Sequence, residues 1–285
     1  MRAKYIIENF TDSEDYREII NAVRNSGREC YAIDKRNYFD FDPSGYVENE
    51  CIIVQGSIQM TKHIRNKLPN GCFPIAYNNW NNYLCTSYYP FYKEFLFNDN
   101  HIQLTVKELK ENKFDIYGKF GREALIFVRP DSGEKSFSGQ LLDLQDFDRM
   151  WTNSIMSNAL DSDIIFVSTP KKINGEWRFI CSKFEGKNEI ISYSTYQYQG
   201  KRTVIPGAPQ GAIDLCNRIL EVNYIPDSVF CVDICESGDI GMFYLLELTS
   251  FSSAGLYASD KIKTVDKVSY IAEQEWMKHH QKITS

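Results

Sequence analysis

The chain has 285 residues, with 32 Lys plus Arg against 38 Asp plus Glu, for a formal net charge of −6. Apolar residues make up 43% and charged residues 25%, which excludes a disordered chain poor in large apolar side chains. The mild acidity argues against generic nucleic-acid binding, which needs a basic face, and leaves room for a local basic pocket.

Residues 3–8 (AKYIIE) are a short apolar run that reads as a strand. In 14–27, Tyr16, Ile19, Ile20 and Val23 recur at helical spacing. Asp12 or Ser13 is placed to cap that helix and Gly27 to stop it. ECYAID (29–34), CIIVQGS (51–57) and GCFPIAY (71–77) read as further strands, with a helix over SIQMTKHIRNKL. This order predicts a small parallel α/β unit over roughly 1–85, and without GxGxxG a dinucleotide site has little support there. The Asn- and Tyr-rich stretch 78–100 reads as a connector packed by its aromatics.

TVKELKEN (105–112) predicts a short helix. From 113 the pattern reads as β, in KFDIYGKF, EALIFVRP and SGQLLDL, followed by a helix over 144–158. DIIFVSTP, EWRFICSK and EIISYSTYQYQ are strands, and 211–223 is a helix. SVFCVDICES and MFYLLELTSF flank a polar turn and predict a hairpin; VDKVSYIAEQEWMKHH closes the chain as a helix. Tyr193, Tyr196 and Tyr198 are expected to pack in the core, with a base-stacking platform as the alternative, and Lys171-Lys172 and Lys201-Arg202 to lie in exposed turns, the second pair open to substrate contact. None of the eight cysteines forms CxxC, so free buried thiols in a reducing cytosol are expected rather than a zinc site. No segment approaches the roughly 20 apolar residues of a membrane helix, and the N-terminus lacks a signal-like run, so a soluble cytoplasmic protein is expected.

Three segments carry chemistry. FVRPDSGEKSFSG (127–139) ends a strand at Arg129-Pro130 and continues into a loop of small residues with Lys135. Such a loop suits an anion, although an ordinary solvated turn has the same composition and the spacing is not that of a P-loop. In EWRF, period two puts Glu176 and Arg178 on one strand face and Trp177 and Phe179 on the other. That face is either solvated or lines a cleft. Asp233 and Glu247 sit inside apolar strands, where an acid is costly unless paired or metal-bound. The hairpin can bring them together, and two carboxylates plus phosphate oxygens suit Mg²⁺; the plain alternative is one acid at each strand edge, bonded to backbone.

In FVRPDSGEKSFSG, VSTPKKINGEWRF with SYSTY, and VDICE…LLELTSFSSAGLY, the chain resembles the ATP-grasp superfamily. More narrowly, it is similar to a bacterial and phage clade whose phosphate loop begins Arg-Pro and ends Lys-x-Phe-x-Gly. The match covers about 125–260. The resemblance implies an α/β plus α+β architecture: a Rossmann-like pre-ATP-grasp unit with connector over 1–98, a first ATP-grasp lobe over 99–165 and a second over 166–285. It implies that ATP lies between the lobes, with Arg129 and Lys135 on its phosphates, Glu176 near the nucleotide and Arg178 by the phosphates or acyl phosphate. Arg129 and Arg178 would be catalytic, and backbone near Val167 and Ser168 would read adenine. Asp233 and Glu247 would hold Mg²⁺, with Thr249 where the family often has Asn. Ser250, Ser252, Ser253 and Tyr257 would face the acceptor.

The implied activity is ATP-dependent carboxylate–amine or carboxylate–thiol ligation through an acyl phosphate, releasing ADP and phosphate. The substrates would be small-molecule or peptide carboxylates and amines. A small-molecule kinase or a nucleotide-binding module without turnover would use the same phosphate machinery, and a homodimer is compatible with the sequence.

Overall fold

The computed structural model describes residues 2–9, 14–34, 37, 39–42, 50–67, 80–133, 136–152, 156–238 and 241–284. β1 (Lys4–Asn9) lies between β2 (Cys30–Asp34) and β3 (Ile52–Gln55), pairing with both in parallel. α1 (Glu14–Asn25) joins β1 to β2 and buries Ile19, Ile20 and Val23, as their spacing requires. α2 (Ile58–Lys67) follows β3. Glu8, at the carboxyl end of β1, is fully buried and accepts the Ser57 N–H just ahead of α2. The buried carboxylate thus sits at a helix N-terminus, where the helix dipole favours negative charge. The expected caps Asp12 and Ser13 and the expected strand 71–77 lie outside the described residues.

The stretch expected to be a connector is helical. A 3-10 turn at Trp80–Tyr83 leads into α3 (Cys85–Tyr92), which buries Tyr88, Tyr89 and Tyr92. These tyrosines are spaced i, i+1, i+4, one helical face, a pattern hidden by the Asn-rich lead-in. β4 (His101–Thr105) is a strand that sequence patterning missed. α4 (Val106–Glu111) begins in a capping box between Thr105 and Glu108. KFDIYGKF is not a strand but α5 (Lys113–Phe120), with Ile116, Tyr117 and Phe120 buried and Phe114 exposed. Its apparent alternation of Phe114 and Ile116 is therefore broken by tertiary packing, which buries the i, i+1, i+4 set instead.

β5 (Leu125–Pro130), β6 (Gln140–Asp143) and β7 (Ile164–Ser168) join β4 in an antiparallel sheet ordered β4-β7-β5-β6. Of the helix expected over 144–158, only α6 (Phe147–Thr152) is helical among the described residues; 144–146 and 156–158 are turns, and 153–155 lie outside the described residues. The division expected at 165/166 falls inside β7.

β8 (Ile173–Phe184), β9 (Lys187–Tyr198), β10 (Lys201–Pro206), β11 (Val229–Ser237) and β12 (Phe243–Ser250) form the third sheet, ordered β10-β9-β8-β11-β12. Lys201 and Arg202 start a strand rather than a turn. The turn is Gln199-Gly200, whose φ values of +49° and +72° suit a two-residue hairpin of the primed type. α7 (Gln210–Glu221) packs on the face that carries Trp177, Phe179, Phe230 and Val232, together with the α3 tyrosines. On the opposite face Ile180, Ile191, Val229 and Cys231 share a core with β1, α1 and α8 (Lys261–Thr284). The seven described cysteines are free, and all but Cys30 are buried. Among the described residues no helix is long and apolar enough to cross a membrane.

Candidate active site

Past its apolar half, the face of the third sheet that carries Ile180 and Cys231 turns polar. Period two along β8 and β11 places Arg178 and Glu176, and Asp233, on that face. Here it borders a cleft of about 410 Å³, whose other wall is Phe127, Arg129 and the loop through Ser132, Phe137 and Gly139. The cleft thus lies between two antiparallel sheets, and each contributes an arginine.

Arg178, Asp233 and Glu247 stand in register across β8, β11 and β12. Arg178 holds both Asp233 oxygens, Nε to Oδ1 at 2.8 Å and Nη2 to Oδ2 at 2.6 Å, and its Nη1 donates to the Gly255 carbonyl at 3.1 Å. Burial alone would pull the Arg178 guanidinium down; Asp233, with Tyr257 and Cys231, offsets this and holds it well above the ordinary arginine value. The acid that was costly in an apolar strand is therefore paired.

Arg129 reaches from β5 to the other sheet. Its Nη2 donates to Glu247 Oε2 at 3.3 Å and its Nη1 to the Leu246 carbonyl at 3.1 Å and the Tyr89 hydroxyl at 3.3 Å. Pairing of β11 with β12 shifts between Asp233 and Ile234, so that Leu246 is skipped, and Arg129 takes its carbonyl. Burial lowers the Arg129 pKa, and the surrounding Cys85, Tyr89, Tyr88 and Glu247 raise it beyond that.

Glu176 accepts from the Tyr196 hydroxyl at 2.6 Å. Its carboxyl is pushed up chiefly by burial, against the Tyr196 bond, with Asp233 and Glu247 adding repulsion. Tyr196 is the extra residue of a bulge, since Glu176 pairs with Gln197 and Trp177 with Thr195. Its ring stacks on Tyr257 at 4.9 Å and 16°, and the Arg178 guanidinium lies 5.6 Å from one ring and 5.1 Å from the other. Tyr196 is thus a cleft residue and not the core residue expected from its strand.

Of the residues singled out from sequence, Arg129, Glu176, Arg178, Asp233, Glu247 and Tyr257 converge on this cleft. Thr249 does not line it, although its Oγ1 lies 3.4 Å from Glu247 Oε1. Val167 is buried in the core of the four-stranded sheet. Ser168 donates to Asn98 Oδ1 at 3.3 Å, and it is Asn98 that lines the cleft. β7 is paired on both sides, so its backbone is engaged in the sheet. Ser250 and Ser252 are buried and bonded to one another at a 3-10 turn, Phe251–Ser253, rather than facing the cleft. Lys135 lies outside the described residues. Asn98 and Leu246 went unread in the sequence and Tyr196 was expected in the core; the bulges that aim Tyr196 and Leu246 are set by their partner strands.

The oxygen donors of Asp233, Glu247 and Thr249 fit a hard divalent cation by type. Among the described residues, however, no group of three or more His, Cys, Asp or Glu is gathered as a ready-made metal cage. Both carboxylates now face arginines, so a cation would share them with those partners.

A scan of protein-family models and a search of curated proteins found no match. Solved structures match along nearly the whole chain. The ATP-grasp ligase PsnB complexed with minimal precursor aligns at a TM-score of 0.55 and 10% identity, over 95% of this chain and 100% of that one. PsnB with minimal precursor, Mg and ADP aligns at 0.51 and 10%, over 94% and 98%. A RimK domain protein ATP-grasp from Sphaerobacter thermophilus aligns at 0.57 and 12%, over 95% and 98%. D-alanine–D-alanine ligase from Bacillus anthracis, complexed with ATP, aligns at 0.52 and 14%, over 98% and 100%. The three sheets, the cleft between two of them and these alignments agree: the chain has the ATP-grasp fold.

Proposed function

We propose that the chain is an ATP-dependent ligase joining a carboxylate to an amine or thiol through an acyl phosphate. The observation that carries this reading is the convergence of Arg129 from one sheet with Arg178, Asp233 and Glu247 from the other on a single cleft. Proteins of this fold whose structures hold ATP, or Mg with ADP, support it. Arg129 and Lys135 bind phosphates and Arg178 faces the transferring group, and these cations offset developing charge in a partly desolvated site. The substrate carboxylate oxygen attacks the γ-phosphorus and ADP leaves. The amine or thiol then attacks the acyl carbon and phosphate leaves. Asp233 and Glu247 would hold Mg²⁺, with Thr249 as a further oxygen, and the ion would supply charge neutralisation on the phosphates. The N-terminal parallel unit takes the place of a pre-ATP-grasp domain, and the cleft wall at Asn98, which Ser168 holds by its hydroxyl, receives the base.

The test is calorimetry with AMPPNP with and without Mg²⁺, followed by product analysis with a panel of acids and amines. ADP plus free phosphate with a new amide or thioester is the expected result. A phosphorylated substrate without free phosphate would make the protein a kinase, and absence of nucleotide binding would refute the proposal outright.

A further inference from the structure

The N-terminal unit carries no motif, yet one of its side chains reaches the wall of the cleft. Asp15 lies in the first turn of α1. Its Oδ2 accepts the backbone N–H groups of both Leu256 and Tyr257, each at 2.9 Å, and its Oδ1 pairs with Lys261 Nζ at 2.9 Å. Lys261 is almost fully buried and also donates to the Tyr257 and Ser259 carbonyls. The segment held in this way is strained. Tyr257 has φ +50°, in the left-handed region that a bulky residue enters only when its surroundings over-determine it. The same segment presents the Gly255 carbonyl to Arg178 Nη1 and the Tyr257 ring to the Arg178 guanidinium and to Tyr196.

We propose that Asp15 is a positioning residue for the cleft: by clamping the 256 and 257 amides it fixes the Gly255 carbonyl and the Tyr257 ring against Arg178, and so sets how Arg178 faces the cleft. Asp15 touches no reacting group and acts through this segment. Without the carboxylate, two amide donors lose their acceptor and Lys261 loses this partner, so the hold on the left-handed residue 257 is weakened. The 255–257 segment then relaxes, and Arg178 keeps Asp233 but loses its third hydrogen bond and its stacking partner. The consequence for substrates rests on the ligase reading; the clamp itself does not.

Two readouts test the clamp on the intact chain: hydrogen exchange of the Leu256 and Tyr257 amides, and the Arg178 Nε–H resonance, assigned by its loss in Arg178→Lys. In Asp15→Ala the two amides are expected to exchange at least about tenfold faster, and the Arg178 signal to shift or broaden. Asp15→Asn keeps an oxygen for both amides and should restore both readouts, whereas Glu14→Gln on the same turn should leave them unchanged. Asp15→Ser, too short to span to 256 and 257, replaces Asp15→Ala if the latter does not fold. An unmoved Arg178 signal in a folded variant overturns the proposal, as does faster exchange spread evenly through β1 and α1. The Mg²⁺·AMPPNP dissociation constant should rise severalfold in Asp15→Ala. Wild-type protein that binds no AMPPNP refutes the ligase reading, while the amide and Arg178 readouts still decide this one.

Discussion

Arg178 and Asp233 are directly opposed across β8 and β11, and the guanidinium fork closes on both carboxylate oxygens at 2.8 and 2.6 Å. Asp233 is about 1% exposed and Arg178 about 8%, so the pair lines the cleft while nearly closed to water. Removing one partner leaves a buried charge unpaired, at a cost of about 3–5 kcal/mol. Arg178→Ala and Asp233→Asn should each lower unfolding free energy by that order in urea titrations and abolish any nucleotide-dependent turnover. Arg178→Lys cannot make the two-pronged contact and should recover part of the stability but little activity.

Gly139 is explained by a neighbour. A Cβ there would come 2.8 Å from the Phe127 ring, and Phe127 lines the cleft. Gly139→Ala must push that ring, so nucleotide affinity should fall, by about tenfold if roughly 1.4 kcal/mol of fit is lost. Calorimetry with AMPPNP would check this, and affinity equal to wild type would show that the ring moves aside without cost.

Asp227 gives the stability a pH dependence. Burial raises its carboxyl to about 7, against a 2.6 Å bond from the Tyr83 hydroxyl and with Glu275 adding repulsion. An acid with a raised folded pKa contributes stability that is fully present below its ordinary value near 3.8 and is lost as pH rises through about 7. The loss across that window is on the order of 4 kcal/mol. Asp227→Asn can still accept from Tyr83 and does not ionise. It should match the wild type near pH 4 and exceed it at pH 8, as measured by chemical denaturation at both values.

Gly118 tests the helix that sequence patterning missed. It lies inside α5, and a Cβ there meets nothing within 4 Å. Gly118→Ala should therefore stabilise the protein by about 0.5–1 kcal/mol, seen as a higher urea midpoint with unchanged slope. A neutral or destabilising result would contradict a helix at this position.

These cases show what the sequence could and could not disclose. EWRF and VDIC declared their faces because strand parity is local, and five charged residues converge as parity and pairing require. KFDIYGKF hid its helix because Phe114 and Ile116 mimic alternation, and only burial of Ile116, Tyr117 and Phe120 against the sheet decides the period. Tyr196 and Leu246 owe their place in the cleft to register shifts, which depend on the partner strand and leave no mark in their own segment. Asp15 reads as one more acid at a helix start; its role comes from Leu256 and Tyr257, 241 and 242 residues away.

The core under β1 is shared between the two ends of the chain. Ala3, Tyr5, Ile19 and Val23 pack with Val265, Val268, Ile271 and Ala272 of α8. During synthesis the first strand and helix therefore leave the ribosome long before the surface that covers them exists. For most of translation they present bare aliphatic side chains, and a chaperone or the nascent third sheet must shield them. Because α8 emerges after β1 and α1 and completes the core they share, chains truncated before α8 should aggregate through β1 and α1 rather than persist as a working cleft.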